Sequence, residues 1–599
     1  MKSLKELWTQ ILRELGNQCS VSTTRDEKTL TRRFEHEGLS FLTITLSDFG
    51  SDFEKSLDQG HVGHDQFAGF SRAGGLPRFL GGFLDRVFDR CSGRLLDVPD
   101  IASLSAIRQL TRAMAKIEIP CSDARVSRAI SRYVECESDV KRSDRDLPPE
   151  LLSEFGRVSL LLFGDVLSRV DLAVYNGDVV PKHGPGATAD RLRGNSKFDL
   201  TEWTSRLERI FPYGDNAIPN WRFNYRLDNV DICEPRDERP VRVVTVPKTL
   251  KTPRIIAIEP TCMQFMQQAI SEQLVRALET DQTVCGMVGF SDQAPNRVMA
   301  ERGSVVGDLA TLDLSEASDR VSNQHVRELL RHFPHLFEGI DATRSRKADV
   351  PGYGVIRLAK FASMGSALCF PIEAMVFTTI AFMGIQAAQR RQFTRRDFKS
   401  YAGKVRVYGD DIIVPADMLA SVTSYLESFG LKVNEGKTFG KGKFRESCGG
   451  DYYDGVDVTP VRVRHVLPTR RSDVTEVVAA VALMNRLYHN GLWESARWVR
   501  TWLEPIIGNL PRVDSSSPLL GWHSFLGYDS RRLNPSSHRP QVKGWRAVSS
   551  IPESPISGEG ALLKWFLKRG DEPFADRDHL ERSGRPVSVA LRRGWGNSV

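Results

Sequence analysis

Residues 405–414 read Val-Arg-Val-Tyr-Gly-Asp-Asp-Ile-Ile-Val. Two short β-branched runs flank Gly409-Asp410-Asp411, which predicts a tight hairpin with acidic side chains at its tip. Gly409 relaxes the backbone for the turn. Adjacent carboxylates between two apolar runs repel each other and resist burial together. A divalent cation relieves that repulsion, and clustered carboxylates with water are the ligand set that Mg²⁺ prefers. The plain alternative is a solvated turn, because Gly-Asp and Asp-Asp are ordinary turn dipeptides.

A second acidic segment lies about a hundred residues upstream. Residues 310–319 read Ala-Thr-Leu-Asp-Leu-Ser-Glu-Ala-Ser-Asp. Alternation places Asp313 on the strand face opposite Leu312 and Leu314. A strand over about 305–314 is expected to turn into a helix over about 317–330. That puts Asp313 at the carboxyl end of a strand, where ligands commonly sit in sheets with helical connections. Three carboxylates of this kind can hold two metal ions for phosphoryl transfer. A basic loop supplies the complement. Residues 241–260 predict strand, loop and strand, with Lys248, Lys251 and Arg254 in or beside the loop, where they could neutralise a triphosphate.

Composition agrees with a large folded chain. The 599 residues carry 82 Lys plus Arg and 75 Asp plus Glu, a net charge of +7. With 41% hydrophobic and 26% charged residues, disordered, collagen-like and disulfide-scaffold classes are excluded. Nine scattered cysteines with no C-x-x-C pair point to a reducing compartment and against a Cys-based zinc site. MKSLKELWTQILREL at the N-terminus predicts an amphipathic helix packing on the body, through Leu4, Leu7, Trp8, Ile11, Leu12 and Leu15. The apolar run from Ala374 to Ala388, inside a helix expected over about 365–389, has 15 residues. A bilayer needs about 20, so a buried core helix is expected. The region beyond about residue 460 predicts helices followed by a loop-rich, Arg-, Pro- and Ser-rich end.

Several motifs are weak. Gly436-Lys437-Thr438 lacks the upstream glycine spacing of a phosphate-binding P-loop. Asp451, Asp454 and Asp457 are spaced by three rather than two, which fails calcium-loop geometry. His61/His64 and His332/His335 have no companion ligands, and Cys448 has no spaced His for a nucleophilic role. Basic clusters are more informative: Arg390, Arg391, Arg395 and Arg396 around Phe393; Arg462, Arg464, His465, Arg470 and Arg471; and Arg582, Arg585, Arg592, Arg593 with Trp595. Such clusters suit phosphate tracking with base stacking.

Six blocks occur in one order: VVTVPKTLKTPRIIAIEP at 243–260, DLSEASDR at 313–320, FASMGSALCFPIE at 361–373, YGDDIIV at 408–414, VNEGKTF at 433–439 and FRESCGGDYY at 444–453. The set resembles the replicase (catalytic β subunit) of positive-strand RNA bacteriophages, the levivirus group, as do the HGPGA loop at 183–187 and GFSDQAPNRVMA at 289–300. The resemblance implies an α+β right-hand polymerase. Its palm would be an antiparallel sheet flanked by helices, with fingers and a mostly helical thumb. Residues 1–110 would contribute to the fingers, 111–265 would be fingers with the basic NTP loop, 266–460 the palm with a fingers insertion, and 461–599 the thumb and C-terminal region.

The resemblance also implies roles. Asp313, Asp410 and Asp411 would hold two Mg²⁺ ions, for which Mn²⁺ could substitute. Asp319 matches the position that selects the ribose 2′-hydroxyl. Ser363 and Gly365 match the flexible loop at template and nucleotide, and Lys248, Lys251 and Arg254 the triphosphate motif. Lys437 matches a proposed general acid for pyrophosphate. The segment after Gly365 departs from the pattern: it reads Ser-Ala-Leu-Cys369 where better-known members have Asn and Thr, so Ser366 and Cys369 receive no nucleotide contact. The activity implied is RNA-directed RNA polymerisation, primer-independent, in the cytoplasm of a bacterial host, with no membrane. Partners implied are RNA template and product, NTPs, host elongation factors Tu and Ts, and a host ribosomal RNA-binding protein. Alternatives are a narnavirus- or mitovirus-like polymerase, a reverse transcriptase, a two-metal nuclease, or a basic RNA-binding structural protein.

Overall fold

The computed structural model describes residues 2–551, 554, 556–569 and 586–599. Its centre is a four-stranded antiparallel sheet in the order Arg406–Tyr408, Asp411–Pro415, Leu309–Ser315, Lys432–Val433. The period-2 pattern sets its faces. Ala310, Leu312, Leu314, Ile412 and Val414 enter the largest apolar core, while Ile413 and Leu309 meet Met299 in a small separate cluster. Below the first face runs the helix Cys369–Gln389, most of whose side chains are buried. It is the one helix among the described residues long and apolar enough to cross a membrane, and 89% of its most apolar window is buried inside the protein. Gly384 lets it approach the helix Leu419–Ser428: a Cβ there would sit 2.6 Å from Val422 Cα. The mixed helix-and-sheet architecture is the expected α+β class.

A second four-stranded sheet has the order Arg254–Ile258, Val241–Val246, Lys347–Val350, Gly354–Arg357. Its first two strands are the antiparallel pair expected around the basic loop.

Four local expectations need correction. The central strand starts at Leu309, because Val305 and Val306 finish the helix Ala294–Val306 and Gly307 closes it at φ 76°. The expected helix over 317–330 is broken. Residues Ala317–Arg320 form one turn, Val321 is extended, and Ser322 Oγ caps a new helix by accepting from the backbone N–H groups of Gln324 and His325. The apolar helix begins at Cys369 rather than 365, since Gly365 sits at φ 138°. Finally, the loop-rich end contains a three-stranded sheet in which Arg532–Leu533 edges a long ribbon, Pro540–Ser550 against Ser588–Asn597, paired over ten rungs.

Residues from Leu4 to Ile117 share one apolar core with residues from Phe439 to Leu510. The N-terminal helix Lys2–Gln18 buries Leu4, Leu7, Trp8, Ile11 and Leu12 there, as its pattern requires. The Glu14 carboxylate accepts from the N–H groups of Glu494 and Ser495 at the start of the helix Trp493–Ile507. Arg108 joins the same two parts: it is buried between Glu54 and Asp451 and lies over the Phe444 ring at 4.6 Å. Asp451 is therefore a structural ion-pair partner, consistent with its rejection as a calcium ligand.

Candidate active site

The register of the central sheet brings the two acidic segments together. Asp411 lies directly opposite Asp313, and Tyr408 pairs with Asp411, so Gly409 and Asp410 form a two-residue turn. Opposed residues in an antiparallel pair share a face with Cβ atoms about 5 Å apart. Gly409 is required twice: its φ is 59°, and a Cβ would sit 2.6 Å from the Phe370 ring. Asp410 is exposed at the tip, whereas Asp313 and Asp411 are half-buried.

Each inner carboxylate is oriented by a neighbour. Asp313 Oδ2 accepts from Asn434 Nδ2 at 2.8 Å, and Asp313 Oδ1 faces Lys437 Nζ at 3.4 Å. Asp411 Oδ2 accepts from the Cys448 backbone N–H at 3.2 Å. Burial, with Asp410 nearby, pushes the Asp313 carboxyl up against the pull of Lys437 and Asn434. Burial also pushes Asp411 up to about 7, assisted by the charges of Asp410, Asp313 and Glu446. Burial works against the Lys437 charge, yet Glu446, Asp313, Asp411 and Asp410 together hold its pKa above the ordinary value.

Among the described residues, no three His, Cys, Asp or Glu side chains already converge as a closed metal cage. Such a cage is not required for Mg²⁺, which keeps several waters and takes one or two carboxylates. An all-oxygen set, mutually repelling and partly open to solvent, fits that ion. Asp313, Asp410 and Asp411 are the residues that would hold it.

The basic loop divides. Burial and the charges of Arg254 and Lys437 lower the Lys248 pKa, while Asp410 and Asp313 oppose them, so Lys248 lies within electrostatic reach of the carboxylates. Lys251 instead turns to the N-terminal part of the chain, with Nζ 3.1 Å from Asp48 Oδ1. The 363–365 loop also differs from expectation. Ser363 is buried, with Oγ 2.8 Å from the Tyr133 hydroxyl. Gly365 is pressed against the second sheet, where a Cβ would lie 1.9 Å from the Ala257 carbonyl oxygen. Met364, 42% exposed, is the side chain of this loop that faces outward.

Asp319 stands at the broken helix, and Lys360 holds it. Lys360 is fully buried, with Nζ 2.8 Å from Asp319 Oδ1, 3.0 Å from Glu137 Oε1 and 3.5 Å from the Tyr133 ring centroid. Asp319 nonetheless keeps about a quarter of its side chain exposed. Glu373 is pushed up to about 8 by burial and the Asp410 charge, with a smaller contribution from Asp319. The Cys369 thiol donates to it at 3.7 Å, and Ser366 Oγ is 3.1 Å from Gln267 Oε1. Sequence reasoning missed Lys360, Asn434, Glu373 and Glu446. Asn434, Glu373 and Glu446 lie inside recognised blocks, and Lys360 immediately precedes one.

The site's strands and turns fall inside one matched segment: residues 231–499 match the family model described as RNA replicase, beta-chain. Over these residues the chain is similar to that family. The chain is also similar to the RNA-directed RNA polymerase subunit beta of Escherichia virus Qbeta, 36% identical over 315 residues, covering 52% of this chain and 48% of the relative. It is also similar to the RNA-directed RNA polymerase beta chain of Escherichia phage MS2, 36% identical over 245 residues, covering 41% and 40%. The matched part thus spans about half the length of these relatives or less. Similar solved structures include one titled as an RNA-dependent RNA polymerase with vp4 and double-stranded RNA, with a TM-score of 0.41 and 11% identity over 69% of this chain and 37% of that one. The RNA-dependent RNA polymerase of a human picorbirnavirus has a TM-score of 0.30 and 13% identity over 41% and 52%.

Proposed function

We propose that the chain is a template-directed, RNA-directed RNA polymerase of a positive-strand RNA phage. The observation that carries this is the strand register setting Asp313 opposite Asp411 beside the Gly409-Asp410 turn. The family match of the segment containing all three supports it. The central sheet would be the palm, the second sheet with the basic loop part of the fingers to which residues 1–110 also contribute, and the region from 461, with the 474–507 helices, the thumb side.

Two Mg²⁺ ions, when bound, would supply activation of an attacking 3′-hydroxyl and neutralisation of a leaving pyrophosphate. The chain's own groups do the rest. Asn434 and the Cys448 N–H fix two carboxylates in place. Lys437, kept protonated by its four acidic neighbours, stands ready to donate a proton to the leaving pyrophosphate. Lys248 and Arg254 would neutralise the triphosphate, whereas Lys251, paired with Asp48, would contribute less. Asp319, fixed by Lys360, would face the ribose. Ser363 and Gly365 would shape the site's floor rather than touch the nucleotide. Primer-independent initiation, use of Mn²⁺, a bacterial cytoplasm, and assembly with host elongation factors Tu and Ts and a host ribosomal RNA-binding protein complete the reading.

Lys437→Ala is expected to lower kcat about 10²-fold, in the range of one general acid, with a smaller change in KM for NTP. Lys437→Arg should restore little, because a guanidinium does not release its proton. Single-turnover incorporation checks both, and an unchanged kcat would remove Lys437 from the chemistry. The activity itself is tested by incubating the chain with RNA, labelled NTPs and Mg²⁺. Extension is expected; shortening would indicate a nuclease, and binding alone a structural protein.

A further inference from the structure

The ribbon Pro540–Ser550/Ser588–Asn597 contains Lys543, Arg546, Arg592 and Arg593 and no acidic residue in either strand. Arg546 lies directly opposite Arg592, and both are exposed. Like charges directly opposed across two strands destabilise the pair, and among the described residues neither forms an ion pair. The opposite face alternates cations with indoles: Lys543 opposes Trp595, and Trp545 opposes Arg593. The Arg532 guanidinium lies 4.0 Å from the Trp595 ring centroid, and Trp595 is still 39% exposed. Trp545 is flanked by Arg471 at 5.4 Å and Arg593 at 6.0 Å, so the basic face continues onto the body of the protein. The ribbon is anchored there by the Trp545 Nε1–H, which donates to the Ile507 carbonyl at 2.6 Å.

We infer that this ribbon binds single-stranded RNA, with the Arg546/Arg592 pair clamping phosphate and Trp595 stacking on an unpaired base. A bound polyanion would relieve the repulsion that the arginine pair otherwise carries. Exposed indole beside guanidinium suits an unstacked base, which a duplex does not offer. The choice of RNA as the polyanion rests on the polymerase reading. Binding is measured without NTPs, so a chain that polymerises nothing still reports on the ribbon.

The test is fluorescence anisotropy of the full chain with a labelled, unstructured single-stranded RNA and a duplex of equal length, over a salt series. Arg546→Ala/Arg592→Ala should weaken single-strand binding about 10-fold and reduce the slope of log affinity against log salt by about 1.4, from roughly 0.7 per phosphate contact. Arg546→Lys/Arg592→Lys should retain both. Trp595→Ala should weaken single-strand binding without changing the slope and leave duplex binding unaltered. Removing the opposed charges should also leave the thermal midpoint unchanged or raised, which separates lost binding from lost folding. Unchanged affinity and slope in the double alanine variant would overturn the inference, and so would equal losses for single strand and duplex in Trp595→Ala.

Discussion

Asp410→Asn is expected to reduce nucleotide incorporation by at least about 10³-fold, the scale of losing one charged stabilising group at a reacting phosphate. Stability should be nearly unchanged. The side chain is exposed at the turn tip, so an amide of the same size loses no packing. What changes is charge. Asp410 raises the pKa of Asp313 and of Asp411, so removing it should lower both while leaving two carboxylates where three acted. Incorporation rate and urea unfolding, measured on one preparation, separate the effects. A fully active variant would contradict the metal-holding role, and an unfolded one would show Asp410 to be structural.

Lys360→Met should cost about 3–5 kcal/mol of stability, the usual penalty for removing one partner of a buried ion pair. The methionine keeps most of the stem volume but leaves Glu137 without its cation beneath the surface and Asp319 without its holder. Adding Asp319→Asn and Glu137→Gln should recover part of the loss, because neutral amides no longer need a buried cation. A shift in the urea midpoint within about 0.5 kcal/mol of wild type, the range of ordinary surface changes, would contradict the buried-network account.

The central hairpin and its neighbour were legible because their information is local. Alternation around Asp313 and the β-branched runs around Gly409-Asp410 fix faces and turn within ten residues. Pairing of the two segments was reached through block order and resemblance, and the register then appeared only in the folded sheet. What escaped has partners far away in the chain. Lys360 meets Glu137, 223 positions upstream, and nothing beside Lys360 in the sequence announces a buried cation. Lys251 read as a triphosphate ligand from its loop, but Asp48 claims it across the fold. Ser363 matches a loop at template and nucleotide, yet its hydroxyl turns inward to Tyr133. The ribbon escaped for a different reason: its strands are separated by 37 residues and are rich in Arg, Ser and Gly, so local pattern reads them as loop. Arg582 and Arg585, expected in the same basic cluster, lie outside the described residues.

In the proposed reaction the Asp313–Asp410–Asp411 site adds nucleotides to RNA under template control. The most direct measurement supplies the chain with Mg²⁺, a primed RNA template and one labelled NTP at a time, with and without bacterial lysate. Four templates differing only in the first unpaired base should each accept only the complementary nucleotide, and Asp410→Asn should accept none. Label added regardless of the template base, label added equally by Asp410→Asn, or shortening of the primer would contradict it, as would no addition even with lysate present.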